Sequence, residues 1–403
     1  MVPKGWQKYS VGELCTSIVP GRNKPKVFDG DIPWVTTPEI NGRYIPSKLQ
    51  VNYVSTTALS DAGGKIVPQG AVVMAAVGEL GLIAITSEPV VLNQQLHAFV
   101  CSKLVNNEYL AYWLTTQKPY MESIASKTTI PYMNKTNCES IPVLLPPLAE
   151  QFKIAQILST WDKAISVTEK LLANSQQQKK ALMQQLVTGK KRLLDENGVR
   201  FSGEWKRVKL GAIADMNSGG TPKSTVEEYY GGNIPWVSIS DMTSNGKWIA
   251  TTEKYLTELG LNSSSARIYP KNSVLYAMYA SIGECSIAAV NLTSSQAILG
   301  IRPKDCLNYE FLYFYLTSLK EKIKLQGQQG TQSNLNAGMV KEFELDLPSI
   351  REQQKIAAVL SAADAEISTL EKKLACLRDE KKALMQQLLT GKRRVKVDEA
   401  VAE

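Results

Sequence analysis

Histidine is almost absent, with His97 the one example in 403 residues. Hydrolytic triads, zinc sites and carboxylate-histidine pairs all draw on imidazole, so most hydrolase and metal chemistries are excluded as readings. The six cysteines, Cys15, Cys101, Cys138, Cys285, Cys306 and Cys376, lie far apart with no C-x-x-C spacing. Neither a zinc site nor a disulfide framework is expected. No apolar run approaches the roughly 18–20 residues that cross a bilayer, and Met-Val-Pro-Lys-Gly-Trp at the start holds no apolar signal segment. A soluble, cytoplasmic protein is expected. Phosphate-loop, dinucleotide-binding and amino-methyltransferase signatures are also missing. Gly189-Lys190 and Gly391-Lys392 are followed by Lys191 and Arg393, so they read as helix ends. His97 stands in Leu-His-Ala-Phe within an apolar run and reads as a core residue. No catalytic residue, metal or cofactor is expected on this chain.

What is present is a folded composition, 44% hydrophobic and 21% charged, with a net charge of +8 that leans modestly toward polyanionic partners. The chain also repeats itself. Residues 145–193 align without a gap on 347–395, an offset of 202, with 28 identities in 49 positions, all of KKALMQQL among them. The offset continues faintly upstream, where Ile32-Pro33-Trp34-Val35 matches Ile234-Pro235-Trp236-Val237. The chain is therefore a tandem duplication of a divergent head and a nearly invariant tail.

Residues 150–188 and 352–390 lack proline and glycine, are rich in helix formers, follow proline turns and stop at Gly189 and Gly391. In the second tail Ile356, Leu360, Ala363, Ile367, Leu370, Leu374, Leu377, Leu384 and Leu388 form a heptad seam broken only by Lys381. The first keeps Ile154, Leu158, Trp161, Ile165, Leu172, Leu182 and Leu186, interrupted by Thr168, Ser175 and Lys179. Such seams predict that the two helices, each about 58 Å long, pack against each other. Ordinary core helices of one large domain are the alternative, and these tails are long for that.

The heads carry β-rich runs such as Ala71–Ala75 and Ser273–Ala277, with a helix predicted near 107–117 and 308–324. Arg, Lys, Asn, Gln and Thr in the loops are side chains that read bases and phosphates. The candidates in head one are Arg22, Lys24, Arg43, Thr128, Thr129, Asn134 and Lys135. In head two they are Thr221, Lys223, Lys247, Thr331, Gln332, Asn334 and Asn336. Glu39 and Asp241 could accept from cytosine or serve turns. Surface loops in general share this composition, and Asn134 and Asn336 suit local caps equally well.

A head ending in Leu145-Pro146-Pro147-Leu148-Ala149-Glu150-Gln151, then a long helix ending in KKALMQQL and Thr-Gly-Lys, all of it twice, resembles the specificity (S) subunit of type I restriction-modification systems. The resemblance runs from Pro3 to about Arg394. Ser349 stands where the second proline of the turn is usual, and Lys127-Thr128-Thr129 lacks an expected glycine. The resemblance implies an α+β fold of two target recognition domains, each followed by a long helix, the helices pairing as an antiparallel coiled coil with pseudo-two-fold symmetry. The expected boundaries are 1–147 and 204–348 for the recognition domains, 148–190 and 349–392 for the helices, 191–203 for a linker and 393–403 for a tail. It implies double-stranded DNA as ligand, read as a bipartite target. It also implies two copies of a methyltransferase (M) subunit as partners, with a restriction (R) subunit joined through the complex. S-adenosylmethionine, magnesium and ATP would be used by those partners. Heads entering successive major grooves would sit about 34 Å apart. Gln151, Gln184, Gln353 and Gln386, shared by both tails and outside the seam, are expected to dock M. The competing readings are a coiled-coil scaffold whose heads bind proteins or glycans, and an enzyme with an unrecognised site.

Overall fold

The proline turn before each tail, Pro146-Pro147 and Pro348, fixes where its helix starts, since proline suits a first turn but not a helix interior. The computed structural model describes residues 2–397 except Arg22, Lys127, Thr128, residues 329–334 and the side chains of 324–328. In it the long helices run Leu148–Leu186 and Ile350–Leu388, 39 residues each. Glu150 and Glu352 lie in the first turns, where the helix dipole favours a carboxylate. Gly189 and Gly391 adopt φ values of +68° and +69°, the left-handed turn that ends a helix and that a side chain would resist.

The compact units of the fold are not the sequence repeats. One comprises Met1–Glu169 with Lys373–Glu403, the other Lys170–Lys372. Each head packs against the first half of its own helix and the last half of the other. Within unit one Asp162 pairs with Lys381, and Glu169 with Arg378 at 2.7 Å. Within unit two Lys179 pairs with Asp364, and Ser175 bonds Glu366 at 3.1 Å. Rising numbers on one helix meet falling numbers on the other, so the pairing in each unit is antiparallel.

The seam is buried mainly at its ends, where Ile154, Leu158 and Leu388 join the core of head one and Leu186, Ile356 and Leu360 that of head two. Leu374 is also buried, and the remaining seam residues, Leu370 and Leu377 among them, are half-buried. Its expected interruptions are polar positions that the structure satisfies. Thr168 is buried and returns its hydroxyl to the Ala164 carbonyl at 2.8 Å. Lys179 and Lys381 lie 5.9 and 5.4 Å from the rings of Phe314 and Tyr112 while pairing with their aspartates.

Each head is built on a five-stranded sheet. In head one its order is Cys15–Ile18, Leu96–Cys101, Val72–Ala75, Ile83–Thr86 and Tyr44–Ile45. In head two it is Ala214–Ser218, Ile298–Pro303, Val274–Ala277, Cys285–Ala288 and Trp248–Ile249. The strands read as continuous apolar runs because both faces are covered. Val72 and Met74 face a core that includes Phe99, Tyr109, Ile154 and Leu388, while Val73 and Ala75 face a second core with Ala84 and Leu96. Val274 and Tyr276, against Leu275 and Ala277, repeat this in head two. The first core includes helix Asn107–Thr116, capped by Asn106, and its counterpart is Tyr309–Gln328. A two-stranded antiparallel ribbon closes each head, Gln7–Ser10 with Pro142–Leu145 and Lys206–Lys209 with Glu344–Leu347. His97 is buried on its strand, and burial holds its pKa below the ordinary imidazole value, consistent with a core residue. No described helix is long and apolar enough to cross a membrane.

Candidate nucleic-acid interface and docking surfaces

The loop candidates divide by what their side chains touch. Lys24, Thr129, Lys135, Thr221 and Lys223 are exposed. The Lys24 ammonium lies 5.5 Å from the Phe28 ring, and with Asn23, Lys26, Asp29 and Ser55 it lines a cavity of about 750 Å³. Lys135 stands 3.5 Å from Glu139, one turn on, an exposed pair that solvent screens. Arg22, Thr128, Thr331, Gln332 and Asn334 lie outside the described residues.

Arg43 is engaged within its own head, and Lys247 both with its head and with the long helix behind it. Arg43 Nε donates to Glu108 Oε2 at 2.6 Å, Nη2 to the Glu108 carbonyl at 2.8 Å, and the guanidinium lies 3.4 Å from the Tyr112 ring centroid. Lys247 donates to Glu310 at 2.7 Å and to Ser361 at 2.8 Å, and sits 4.6 Å from the Phe314 ring. Burial raises the Glu310 pKa, but the bonds from Lys247 and Ser361 outweigh it and leave the carboxyl below its ordinary value. These cations anchor the loops that carry them.

Asn134 and Asn336 are helix caps, accepting from the Asn137 and Met339 amides at 2.8 and 3.0 Å. Glu39 closes a capping box on Thr36. Asp241 is buried, taking the Ser238 and Glu253 amides, each at 2.8 Å, so it presents no acceptor outward. Linear reading did not bring together Arg267, Arg302 and Lys341. Arg302 on its strand, Lys341 at the end of helix Ala337–Lys341 and Arg267 in a loop converge, with Asp215 and Asn217, around a cavity of about 550 Å³ in head two. Their separation along the chain left no motif to find.

Of the four glutamines expected to dock a partner, two cannot present their side chains. Gln151 and Gln353 are 1% and 0% exposed. Gln151 donates to the Leu104 and Pro146 carbonyls at 3.0 and 2.9 Å and accepts from the Asn106 amide at 2.7 Å. Gln353 makes the same three bonds to Cys306, Pro348 and Asn308, at 3.0, 2.9 and 2.8 Å. Their preservation in both tails follows from stitching the neck of each head, since buried backbone groups need partners. Gln184 and Gln386 are exposed.

Among the described residues no group of three or more His, Cys, Asp or Glu is placed to hold a metal. Two divergent heads with exposed cations on their loops, each on one of two similar long helices, define a tandem head-and-helix protein. The chain belongs to the type I restriction modification DNA specificity domain family, whose model matches residues 3–174 and 202–377. It is 36% identical over 172 residues to the type I restriction enzyme MjaIX specificity subunit of Methanocaldococcus jannaschii, covering 42% of this chain and 40% of that protein. It is 29% identical to the MjaVIII specificity subunit of the same organism over 311 residues, 73% of this chain and 72% of that one. Its fold is similar to the crystal structure of a type I restriction-modification S subunit from M. genitalium, with TM-score 0.61, 15% identity and 96% of each chain covered. The MjaIX match thus spans less than half of that relative, the MjaVIII match nearly three quarters.

Proposed function

We propose that this chain is the non-catalytic DNA-recognition subunit of a type I restriction-modification complex. Residues 1–147 and 204–348 act as recognition domains, each reading one half of a bipartite, asymmetric target. The observation that carries this reading is the contrast within the repeat. The buried contacts of the neck recur at an offset of 202, Gln151 with Gln353 among them, while the exposed loops have diverged. Equal frames with unequal loops suit one duplex read at two different half-sites.

The proposed DNA contacts are Lys24, Thr129, Lys135, Thr221 and Lys223, together with Arg22, Thr128, Thr331, Gln332 and Asn334. Arg267, Arg302 and Lys341 join them as phosphate contacts. The two tails offer equivalent surfaces, Gln184 and Gln386 among them, to two copies of a methyltransferase subunit, and restriction subunits join through these. S-adenosylmethionine, magnesium and ATP serve the partners, none of them this chain, and the complex works in the cytoplasm. The scaffold reading, in which the heads hold proteins or glycans, is not favoured by the family.

The complex with the methyltransferase subunit should bind one bipartite sequence selectively, with affinity falling as salt rises. Mapping methylated bases with and without this chain identifies the target. Salt-insensitive binding without sequence preference would overturn the reading.

A further inference from the structure

In each head one aromatic side chain, Tyr112 or Phe314, faces a lysine–aspartate pair of the long helices, and the two positions differ by a single hydroxyl. In head one Tyr112 carries the Arg43 guanidinium against its ring, and its phenol donates to Asp162 Oδ2 at 2.5 Å. Lys381 holds the other oxygen of the same carboxylate. The repeat position of Tyr112 is Phe314. There Lys179 holds Asp364 Oδ1, while Asp364 Oδ2 is buried without a protein partner.

Head two reaches its helix by another route. Lys247 donates to Ser361 Oγ at 2.8 Å, and Ser361 donates to Glu310 Oε2 at 2.6 Å. Ser159, the repeat counterpart of Ser361, turns its hydroxyl to the Gln156 carbonyl of its own helix at 3.0 Å. A phenol is a rigid lever: its ring packs the loop cation and its hydroxyl, kept protonated by burial, fixes the ring on the helix carboxylate. A lysine on a serine is a softer connection, because four methylenes lie between the loop and the bond.

We propose that Tyr112 is a positioning residue for DNA recognition by head one, holding the loop around Arg43 in one orientation on the helix pair. Ser361 does the same for the loop around Lys247. Each half of the target is then set by its own joint, and the two joints can be altered separately. This rests on the DNA-recognition reading above and takes residues 40–46 and 244–250 as part of each head's reading surface, since a reading loop keeps one orientation only when packing and hydrogen bonds behind it hold it.

Tyr112→Phe in the full chain, assembled with its methyltransferase subunits, removes one oxygen and keeps the ring. Discrimination between the cognate duplex and single-base variants should fall at least about fivefold in one half of the target and stay unchanged in the other. Amide exchange of residues 40–46 should speed up while 244–250 stay as they were. Ser361→Ala should produce the mirror result. Equal losses in both halves, or unchanged discrimination even with faster exchange, would overturn the positioning role. If Tyr112→Phe fails to fold, Asp162→Ala, which removes the acceptor of the phenol, is read the same way. Loss of sequence selectivity in the wild-type complex itself would instead overturn the DNA reading, and the positioning role with it.

Discussion

Arg394 holds Glu150 with two nitrogens, Nε at 3.2 Å from Oε2 and Nη2 on Oε1, across 244 positions of chain. Trp6 Nε1 donates to the same carboxylate at 3.0 Å. The set recurs in unit two, where Arg192 bonds Glu352 at 2.6 and 2.8 Å and Trp205 donates at 3.1 Å. In each unit the segment leaving one long helix is clamped to the first turn of the other. Arg394→Ala should therefore cost about 2 kcal/mol, the scale of hydrogen bonds to a charged, largely buried group. Denaturant unfolding followed by hydrogen exchange should place that loss in unit one, and Arg192→Ala should place it in unit two.

The glutamines should separate by role. Gln151→Ala leaves one buried amide and two carbonyls without partners and should cost about 2–4 kcal/mol. Gln184→Arg should leave the melting temperature within about 1 °C, since an exposed site contributes little, while impairing co-purification with the methyltransferase subunit. Melting curves and pull-downs on both variants check the contrast, and the reverse pattern would remove Gln184 from the docking surface.

Phe314→Tyr should supply the donor that Asp364 Oδ2 lacks. If the ring sits as Tyr112 does, the variant should gain about 1 kcal/mol, the net worth of one hydrogen bond. Denaturant titration measures it, and Phe314→Tyr combined with Asp364→Ala should lose the gain.

Acid should loosen head two through Glu310. Its carboxyl titrates below the ordinary 4.5 in the folded state, so its bonds to Lys247 and Ser361 stabilise the fold fully above that value. The contribution fades as pH falls through the lowered folded pKa. The gap in melting temperature between wild type and Glu310→Gln should be widest near pH 7 and close as pH falls from 4.5 through the lowered folded value.

A chain ending at residue 200 should dimerise. Its helix carries both members of the charged pair, so antiparallel pairing of two copies sets Lys179 of one opposite Asp162 of the other, as Lys381 stands in the full chain. With the methyltransferase subunit the dimer should modify a palindrome. The 201–403 half should associate more tightly, because Leu370 and Leu377 replace Thr168 and Ser175 in the seam, at about 1.5–3 kcal/mol per buried leucine before packing losses. Ultracentrifugation and methylation mapping test both, and monomers or an asymmetric site would refute the pairing.

Features that depend on near neighbours were legible from the residues in order. The duplication, the long helices, the seam at Ile356, Leu360 and Leu374, the apolar strands at 71–75 and 273–277, and the buried His97 all follow from propensity and period. Those properties act over a few residues, so a linear reading reaches them. Tertiary structure alone decided which half of which helix each head takes. It decided that Gln151 faces inward, that Arg43 answers a glutamate 65 positions away, and that Arg267, Arg302 and Lys341 share one cavity. These outcomes turn on long-range strand pairing and on which polar groups burial leaves in need of a partner. Both are properties of the packed chain that no local window of sequence contains.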